Sequence, residues 1–380
     1  MITIARLEIF PVGLPVIRGF RFSSGSAGTT GEKAWIVLVK LTDSDGRVGW
    51  GEGRPMRQWA YETIETAVST IRDYLAPAVI GTEVWDRAGL HRRMHAAIGR
   101  GPSTGQPVAK AAVDIAIHDL CAKIAGVPLR ALLGGSIAPH ELALSWTCTA
   151  HTEEEAQKDV AEGLAGGFKH FNFKAAVTPE TDIAVARTIA KHAPAGAFLW
   201  ADCNQGLKPQ DAIRVAEEFY GMGVGLLEQP FPADQLHLME RLRARTSIPL
   251  AIDEASVSAG DFYAYAKAGL VDYLVLKVTR SGGVWPSQHQ VAVAESAALP
   301  SIVSGLTDGL LTKLAVSHVA AACGVTRPMA LNGSQFMDES ALYPNKSSFE
   351  HDGTVFLSSQ PGLGVEPDEV AVRALGREIA

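Results

Sequence analysis

From position 142 onward, short apolar runs alternate with longer stretches in which apolar residues return every three or four positions. The runs are Leu142–Thr147, Phe168–Lys174, Ala197–Asp202, Val224–Glu228, Leu250–Asp253, Tyr273–Lys277, Ser301–Ser304 and Pro328–Asn332. Strand-length runs followed by helix-length stretches read as βα units, and eight in succession predict a parallel barrel. The helix after the eighth run is weak or missing, so the expected class is α/β, a (β/α)7β modified TIM barrel. Residues 1–125 read differently. Ile4 to Pro15 is a mixed strand-like run, and Ala34 to Thr42 is apolar and β-branched. Asp45-Gly46 marks a turn, and Arg47 to Glu52 makes the return strand of a hairpin. From Tyr61 to Ile124 the period is helical, with breaks, until Gly126-Val127-Pro128 ends it. This is an α+β capping unit. The barrel is expected over 126–348. The tail, 349–380, carries only short strand pieces and is expected to return to the capping unit.

One stretch has no apolar period. Arg18–Lys33 is rich in Gly, Ser and Thr and lies inside the capping unit. It reads as a plain connection or as a mobile lid over a site.

Five of the predicted strands end on an ionisable residue: Lys174, Asp202, Glu228, Asp253 and Lys277. The intervals are 28, 26, 25 and 24 residues, each about one βα unit. A parallel barrel delivers every strand's C-terminal end to one face, where such enzymes build their sites. Strands three, four and five are neighbours, so Asp202, Glu228 and Asp253 should cluster. Clustered carboxylates repel one another unless a cation or protons intervene. Three oxygen ligands with open positions suit Mg²⁺. Lys174 and Lys277 end strands two and six, four steps apart in a ring of eight, and should face each other across it. That arrangement suits removal of a proton α to a carboxylate. The metal stabilises the enediolate, and a lysine of lowered pKa takes the proton. A base on each face permits racemisation or epimerisation.

Composition narrows the alternatives. Hydrophobic residues make up 47% and charged residues 20% of the chain, which excludes intrinsic disorder. A net charge of −7 with scattered Lys and Arg gives no nucleic-acid footprint. No apolar run nears the ~18 residues a membrane helix needs. The four cysteines, Cys121, Cys148, Cys203 and Cys323, lack zinc-ligand spacing and are expected to be free thiols in a cytoplasmic protein.

At these residues the chain resembles the enolase superfamily, in its muconate lactonizing enzyme subgroup, over nearly its whole length. The resemblance rests on Gly167-Phe168 running to Phe173-Lys174 and on Ala201-Asp202-Cys203-Asn204. It continues through Leu227-Glu228-Gln229-Pro230, Ile252-Asp253-Glu254 and Leu276-Lys277 to Gly282-Gly283. Asp114-Ile115-Ala116 and Leu132-Leu133-Gly134-Gly135 add weaker support. The resemblance implies Mg²⁺ on Asp202, Glu228 and Asp253, and Lys174 and Lys277 as the acid/base pair. It also implies a small carboxylate substrate bound to the metal, a mobile loop at Arg18–Lys33, and a homo-oligomer. The family's usual Lys-x-Lys at strand two reads Asn172-Phe173-Lys174 here, a lost cation beside the base. An Asp-x-Asp that holds the substrate ammonium of dipeptide epimerases is replaced by Leu331-Asn332-Gly333-Ser334.

Asn172 and Asn204 are candidate substrate contacts. Asp308 could bind a substrate amine or cap the following helix. Arg21 in the loop, and Arg54 and Trp59 after the hairpin, could hold a second acidic group or a cation over the indole. Equally, Arg54 could be a solvated charge and Trp59 could pack under a helix. The leading reading is racemisation or epimerisation of an amino-acid derivative or cyclic imino acid. The same enediolate also serves a lyase, such as a dehydratase of a hydroxylated proline-like acid, and a muconate-type cycloisomerase. A metal-binding barrel inactivated through Asn172 is the remaining alternative.

Overall fold

The computed structural model describes residues 1–23, 25–99 and 104–379. Ser24 of the expected lid, 100–103 of the capping unit and Ala380 lie outside the described residues. The capping unit is built on three antiparallel strands, Ile4–Pro15, Lys33–Asp43 and Val48–Gly53, with the middle one paired to both others. Alternation along Lys33–Asp43 gives the sheet two apolar faces. Val37, Val39 and Leu41 pack with the helices of the capping unit, including Ile64–Thr70 and Pro107–Ala125. Ile36 and Leu38 join the larger core shared with the barrel. The third strand reads VGWGEG, and its glycines all face the helix Pro107–Ala125. A Cβ on Gly49, Gly51 or Gly53 would overlap the carbonyls of Ala116, Ala112 and Val108 respectively, so this close approach requires glycine.

The barrel strands are Ser145–Cys148, His170–Lys174, Leu199–Asp202, Leu226–Glu228, Leu250–Ile252, Tyr273–Leu276 and Ser301–Val303. They lie side by side in sequence order, all parallel. A helix of eight or more residues follows each of the seven. Several start at side-chain caps: Thr152 and Thr178 accept from the backbone N–H groups of Glu155 and Thr181 at 3.2 Å. The eighth run is reduced to two residues. Met329 and Ala330 bridge to Leu144 and Ser304, which joins strand seven to strand one and closes the ring.

Inside the ring, Trp200, Leu226, Ala251, Val275, Ile302 and Ala330 form one apolar cluster, each from a successive strand. Side chains on a strand share a face every second residue. Two positions on are Asp202, Glu228, Asp253, Lys277, Ser304 and Asn332. The polar layer at the mouth thus stands directly above an apolar plug.

The tail runs back along both units. Thr354–Leu357 pairs with His140–Ala143, just before the first barrel strand. The helix Glu369–Leu375 lies against the first capping strand, with Lys40 paired to Glu369 and Gly376 bridged to Val12. No helix among the described residues is long and apolar enough to cross a membrane.

Candidate active site

Lys174, Asp202 and Glu228 are the last residues of barrel strands two, three and four, and Asp253 and Lys277 follow strands five and six by one residue. Register places Lys174 beside Asp202, and Asp202 beside Glu228. All five are buried. Lys174 Nζ donates to Asp202 Oδ2 at 2.5 Å, and Lys277 Nζ donates to Asp253 Oδ2 at 2.6 Å. The two ammonium groups come from opposite sides of the ring onto one carboxylate cluster, with Glu228 between.

Two charged residues absent from the strand-end pattern belong to this cluster. Arg280, on the short helix Val278–Ser281, donates to Asp253 Oδ1. Glu254 is half-buried among the same charges, and its Oε1 accepts from Asn204 Nδ2 at 3.1 Å. The adjacent acidic pair Asp253-Glu254 was a sequence signal for it. Arg280 had none, because it lies four residues past its strand end, on the short helix. Gln229 positions Asp253: its Oε1 accepts from the N–H groups of Asp253 and Ala255 at 2.9 and 3.1 Å.

Burial sets the electrostatics, and charge pairing divides the carboxylates. Glu228 is pushed well above the usual carboxylate range by burial and by its neighbours Asp202 and Asp253. Burial also lifts Glu254, to about 7, with Asp253 adding to it. Asp253 goes the other way: burial is outweighed by Arg280 and Lys277. Burial would lower Lys174, yet Asp202 and Glu228 overcome it and hold the amine above its ordinary value. The expected lowered pKa of that lysine is therefore absent here, and its ion pair with Asp202 is the reason. Glu228 Oε1 is buried with no hydrogen-bond partner. Among the described residues, no three His, Cys, Asp or Glu side chains stand in a ready metal-binding arrangement; Asp202 and Asp253 are each drawn to a lysine.

The other candidates divide. Asn172 Oδ1 accepts from Thr147 Oγ1 at 2.9 Å, and Asn332 Nδ2 donates to the same hydroxyl at 2.8 Å. This chain spans strands one, two and eight at the mouth. Asn204 follows Asp202 with a left-handed backbone, φ 41°, and its Oδ1 is buried and unpartnered. Ala176, Gln205, Gln229 and Thr307, also in loops after barrel strands, share that conformation, which concentrates at functional sites. Trp59 sits over the site, its ring centroid 5.8 Å from Lys174 Nζ.

Asp308 does not cap the helix after it. Its Oδ2 accepts from Leu306 N–H at 2.8 Å, and its Oδ1 is buried without a partner. The first N–H groups of the helix Leu310–Ala322 are taken instead by Glu52 and Glu339, which reach across from distant segments. Arg54 is neither solvated nor turned to the mouth: Nη1 donates to the carbonyls of Leu306 and Thr307 at 3.2 and 2.7 Å. Arg21 pairs with Glu155 on the helix Glu153–Ala165 at 2.7 Å.

The predicted lid has structure that its composition concealed. Phe20–Phe22 pairs with Gly25–Ala27 in a small hairpin, and Phe20 and Phe22 are buried. Arg18 pairs with Asp159 and Glu162, and Ser23 Oγ donates to Cys203 O at 3.1 Å. The hairpin is thus latched over the barrel mouth.

Comparison with known proteins agrees with this geometry. The family model for the mandelate racemase / muconate lactonizing enzyme N-terminal domain matches residues 20–134, and the model for an enolase C-terminal domain-like unit matches 151–371. Muconate cycloisomerase 1 of Rhodococcus opacus is 29% identical over 99% of both chains. The L-Ala-D/L-Glu epimerase of Bacillus subtilis is 28% identical, over 95% of this chain and 96% of its own. The crystal structure of muconate lactonizing enzyme from Pseudomonas fluorescens, complexed with muconolactone, superposes with a TM-score of 0.88. It is 25% identical over 99% of both chains.

Proposed function

The chain belongs to the mandelate racemase/muconate lactonizing enzyme family of the enolase superfamily, and we propose that it is a Mg²⁺-dependent racemase or epimerase of a small amino-acid derivative or cyclic imino acid. It is an isomerase whose chemistry begins with abstraction of the proton α to a carboxylate and passes through an enediolate. The observation that carries the finer reading is the pair of lysines, four strands apart in the ring, each ion-paired to a carboxylate of one triad.

The donor set fits a hard divalent cation. It is all oxygen, one carboxylate oxygen of Glu228 is buried without a partner, and four acids face three cationic side chains. Asp202, Glu228 and Asp253 would hold the ion. Bound there, it would stabilise the second negative charge that develops on the substrate carboxylate. The protein's own groups do the rest. Lys174 and Lys277 approach the α-carbon from opposite sides; one takes the proton and the other returns one to the opposite face, which inverts the centre. Arg280 and Gln229 keep Asp253 in place, and the latched hairpin keeps water out. The neutral amide of Asn172, held by Thr147, supplies a hydrogen bond at the second strand instead of a charge.

The test is α-hydrogen exchange in D₂O with a library of chiral carboxylates, followed by NMR and by chiral chromatography. We expect Mg²⁺-dependent exchange with inversion, abolished by EDTA. New unsaturation or ring closure in place of inversion would assign a lyase or a cycloisomerase. Absence of exchange across the library would overturn the reading.

A further inference from the structure

We infer that Asp114, on a helix of the capping unit and away from the barrel mouth, is a positioning residue for Lys277, so that the capping unit sets one of the two bases and the barrel sets the other. This rests on the two-lysine reading above.

The segment after Lys277 has little freedom. Ser281 N–H donates to the Lys277 carbonyl at 2.9 Å and Gly283 N–H to that of Val278 at 2.8 Å, and residues 277–284 are buried throughout. The segment ends on Asp114, in the helix Pro107–Ala125. Asp114 Oδ2 accepts from Val284 N–H and, at 3.4 Å, from Trp285 N–H, the first two residues of the barrel helix Val284–Ser296. It therefore serves that helix as a remote cap, satisfying N–H groups that have no partner within the helix. Gly283 makes the approach possible. Its φ is +123°, and a Cβ there would lie 2.2 Å from Asp114 Oδ2. Asp114-Ile115-Ala116 and Gly282-Gly283 are thus two halves of one contact.

Asp114 is itself fixed. Its Oδ1 meets His91 Nε2 at 2.5 Å and lies 3.2 Å from His118 Nδ1, which also meets the Asp114 carbonyl at 2.8 Å. A carboxylate and a carbonyl only accept, so His91 donates from Nε2 and His118 from Nδ1. Burial would raise Asp114, but His118 and His91 outweigh it and hold the carboxyl below its ordinary value. His91 also stacks on Trp285, with ring centroids 6.4 Å apart.

Lys174 is anchored differently. Asp182, buried on the barrel helix Pro179–His192, accepts from the N–H groups of Ala176 and Val177 at 3.0 and 3.1 Å. Each lysine is thus followed by two backbone N–H groups held on one buried aspartate, but only the aspartate behind Lys277 belongs to the capping unit. A displacement of ~1 Å at a reacting group costs about 10²-fold. Loosening either anchor should therefore weaken one base and spare the other.

The experiment uses wild type, Asp114→Asn, Gly283→Ala and Asp182→Asn with Mg²⁺ present. It reads the rates at which cyanate carbamylates Lys174 and Lys277, by peptide mass spectrometry, and the α-hydrogen exchange in D₂O of the separate D and L forms of proline and N-acetylproline. Lys277→Ala identifies the enantiomer whose exchange depends on Lys277. We expect Asp114→Asn to raise labelling of Lys277 relative to Lys174 and to slow exchange of that enantiomer by about ten-fold or more, with the other spared. Gly283→Ala, which crowds the same contact from the other side, should match it. Asp182→Asn should move both readouts the opposite way. A general loosening of the fold would shift both lysines and both enantiomers together; that result, or an unchanged labelling ratio in Asp114→Asn, would overturn the inference. If no acid of the library exchanges, the α-proton reading fails, and the labelling ratio alone still decides the anchor.

Discussion

Two buried acid clusters lie in this fold, and they solve the same electrostatic problem differently. At the barrel mouth, Asp202, Glu228, Asp253 and Glu254 are set against Lys174, Lys277 and Arg280. Where the capping unit meets the barrel, Glu52, Asp308 and Glu339 are set against Arg54 and Lys346. The second cluster is spent on backbone. Glu52 Oε1 and Glu339 Oε1 accept from the N–H groups of Gly309 and Leu310, at 2.6 and 2.8 Å. Burial, Glu339 and Asp308 push Glu52 well above the usual carboxylate range. The first cluster has no helix terminus to serve. Apart from Asp202 Oδ1 and Glu254 Oε1, which accept from Asn204 N–H and Nδ2 at 2.9 and 3.1 Å, its charges meet one another; Glu228 Oε1 is left unpartnered, as Glu52 Oε2 and Asp308 Oδ1 are in the second cluster. Burial alone therefore does not mark a site; what distinguishes the mouth is carboxylate charge paired with cationic side chains instead of with a helix terminus.

The comparison can be broken first at the lysines. Lys174→Ala and Lys277→Ala should each lower kcat for racemisation by about 10²- to 10⁴-fold, the usual worth of a positioned acid or base. Each loss also leaves a buried carboxylate without its cation, so kcat is taken per folded molecule. Turnover near wild type in either variant would remove the two-base mechanism.

Arg54 should behave in the opposite way. It is buried, and although desolvation lowers it to about 10, Asp308, Glu52 and Glu339 surround it. Arg54→Leu leaves those acids without a neighbouring cation and two carbonyls without their donor, so stability should fall by about 3–5 kcal/mol in urea titration. Activity per folded molecule should drop far less than in the lysine variants. An unchanged urea midpoint would show that Arg54 is not a brace.

The sequence carried these two clusters very unequally. The mouth was legible because a parallel barrel turns a spacing of about one βα unit into convergence, and Lys174, Asp202, Glu228, Asp253 and Lys277 have that spacing. The brace was invisible. Glu52 is 257 residues from the N–H it caps and Glu339 is 29, and nothing local in either segment signals a helix terminus. Asp308, which sits where a cap belongs, turns back to Leu306 instead. The closing strand was legible as an apolar run, yet forms only two bridges, since Gly333 begins a short helix at once. The lid hairpin was masked by its Gly and Ser, although Phe20-x-Phe22 already carried the period of a strand.

A third buried acid tests, with the smallest effect, whether a helix terminus or burial governs such groups. Glu62 lies in the capping unit, fully buried, and accepts from the N–H groups of Val108 and Ala109 at 2.8 and 3.0 Å. Those donors and Lys110 favour the carboxylate, but burial prevails and raises its pKa to about 7. The unfolded chain releases this proton near the ordinary value of 4.5, and the folded chain holds it to about 7. The folded state therefore binds more protons across that window. Its contribution is fully present below about 4.5, declines as pH rises and is lost above about 7, a change on the order of 3 kcal/mol. Glu62→Gln has no proton to hold. The stability difference between wild type and variant, from urea titrations at pH 5 and pH 8, should shift toward the variant as pH rises. A shift in the other direction would mean that the helix N-terminus outweighs burial at Glu62, and the same physics would then favour an ionised Glu52 in the brace.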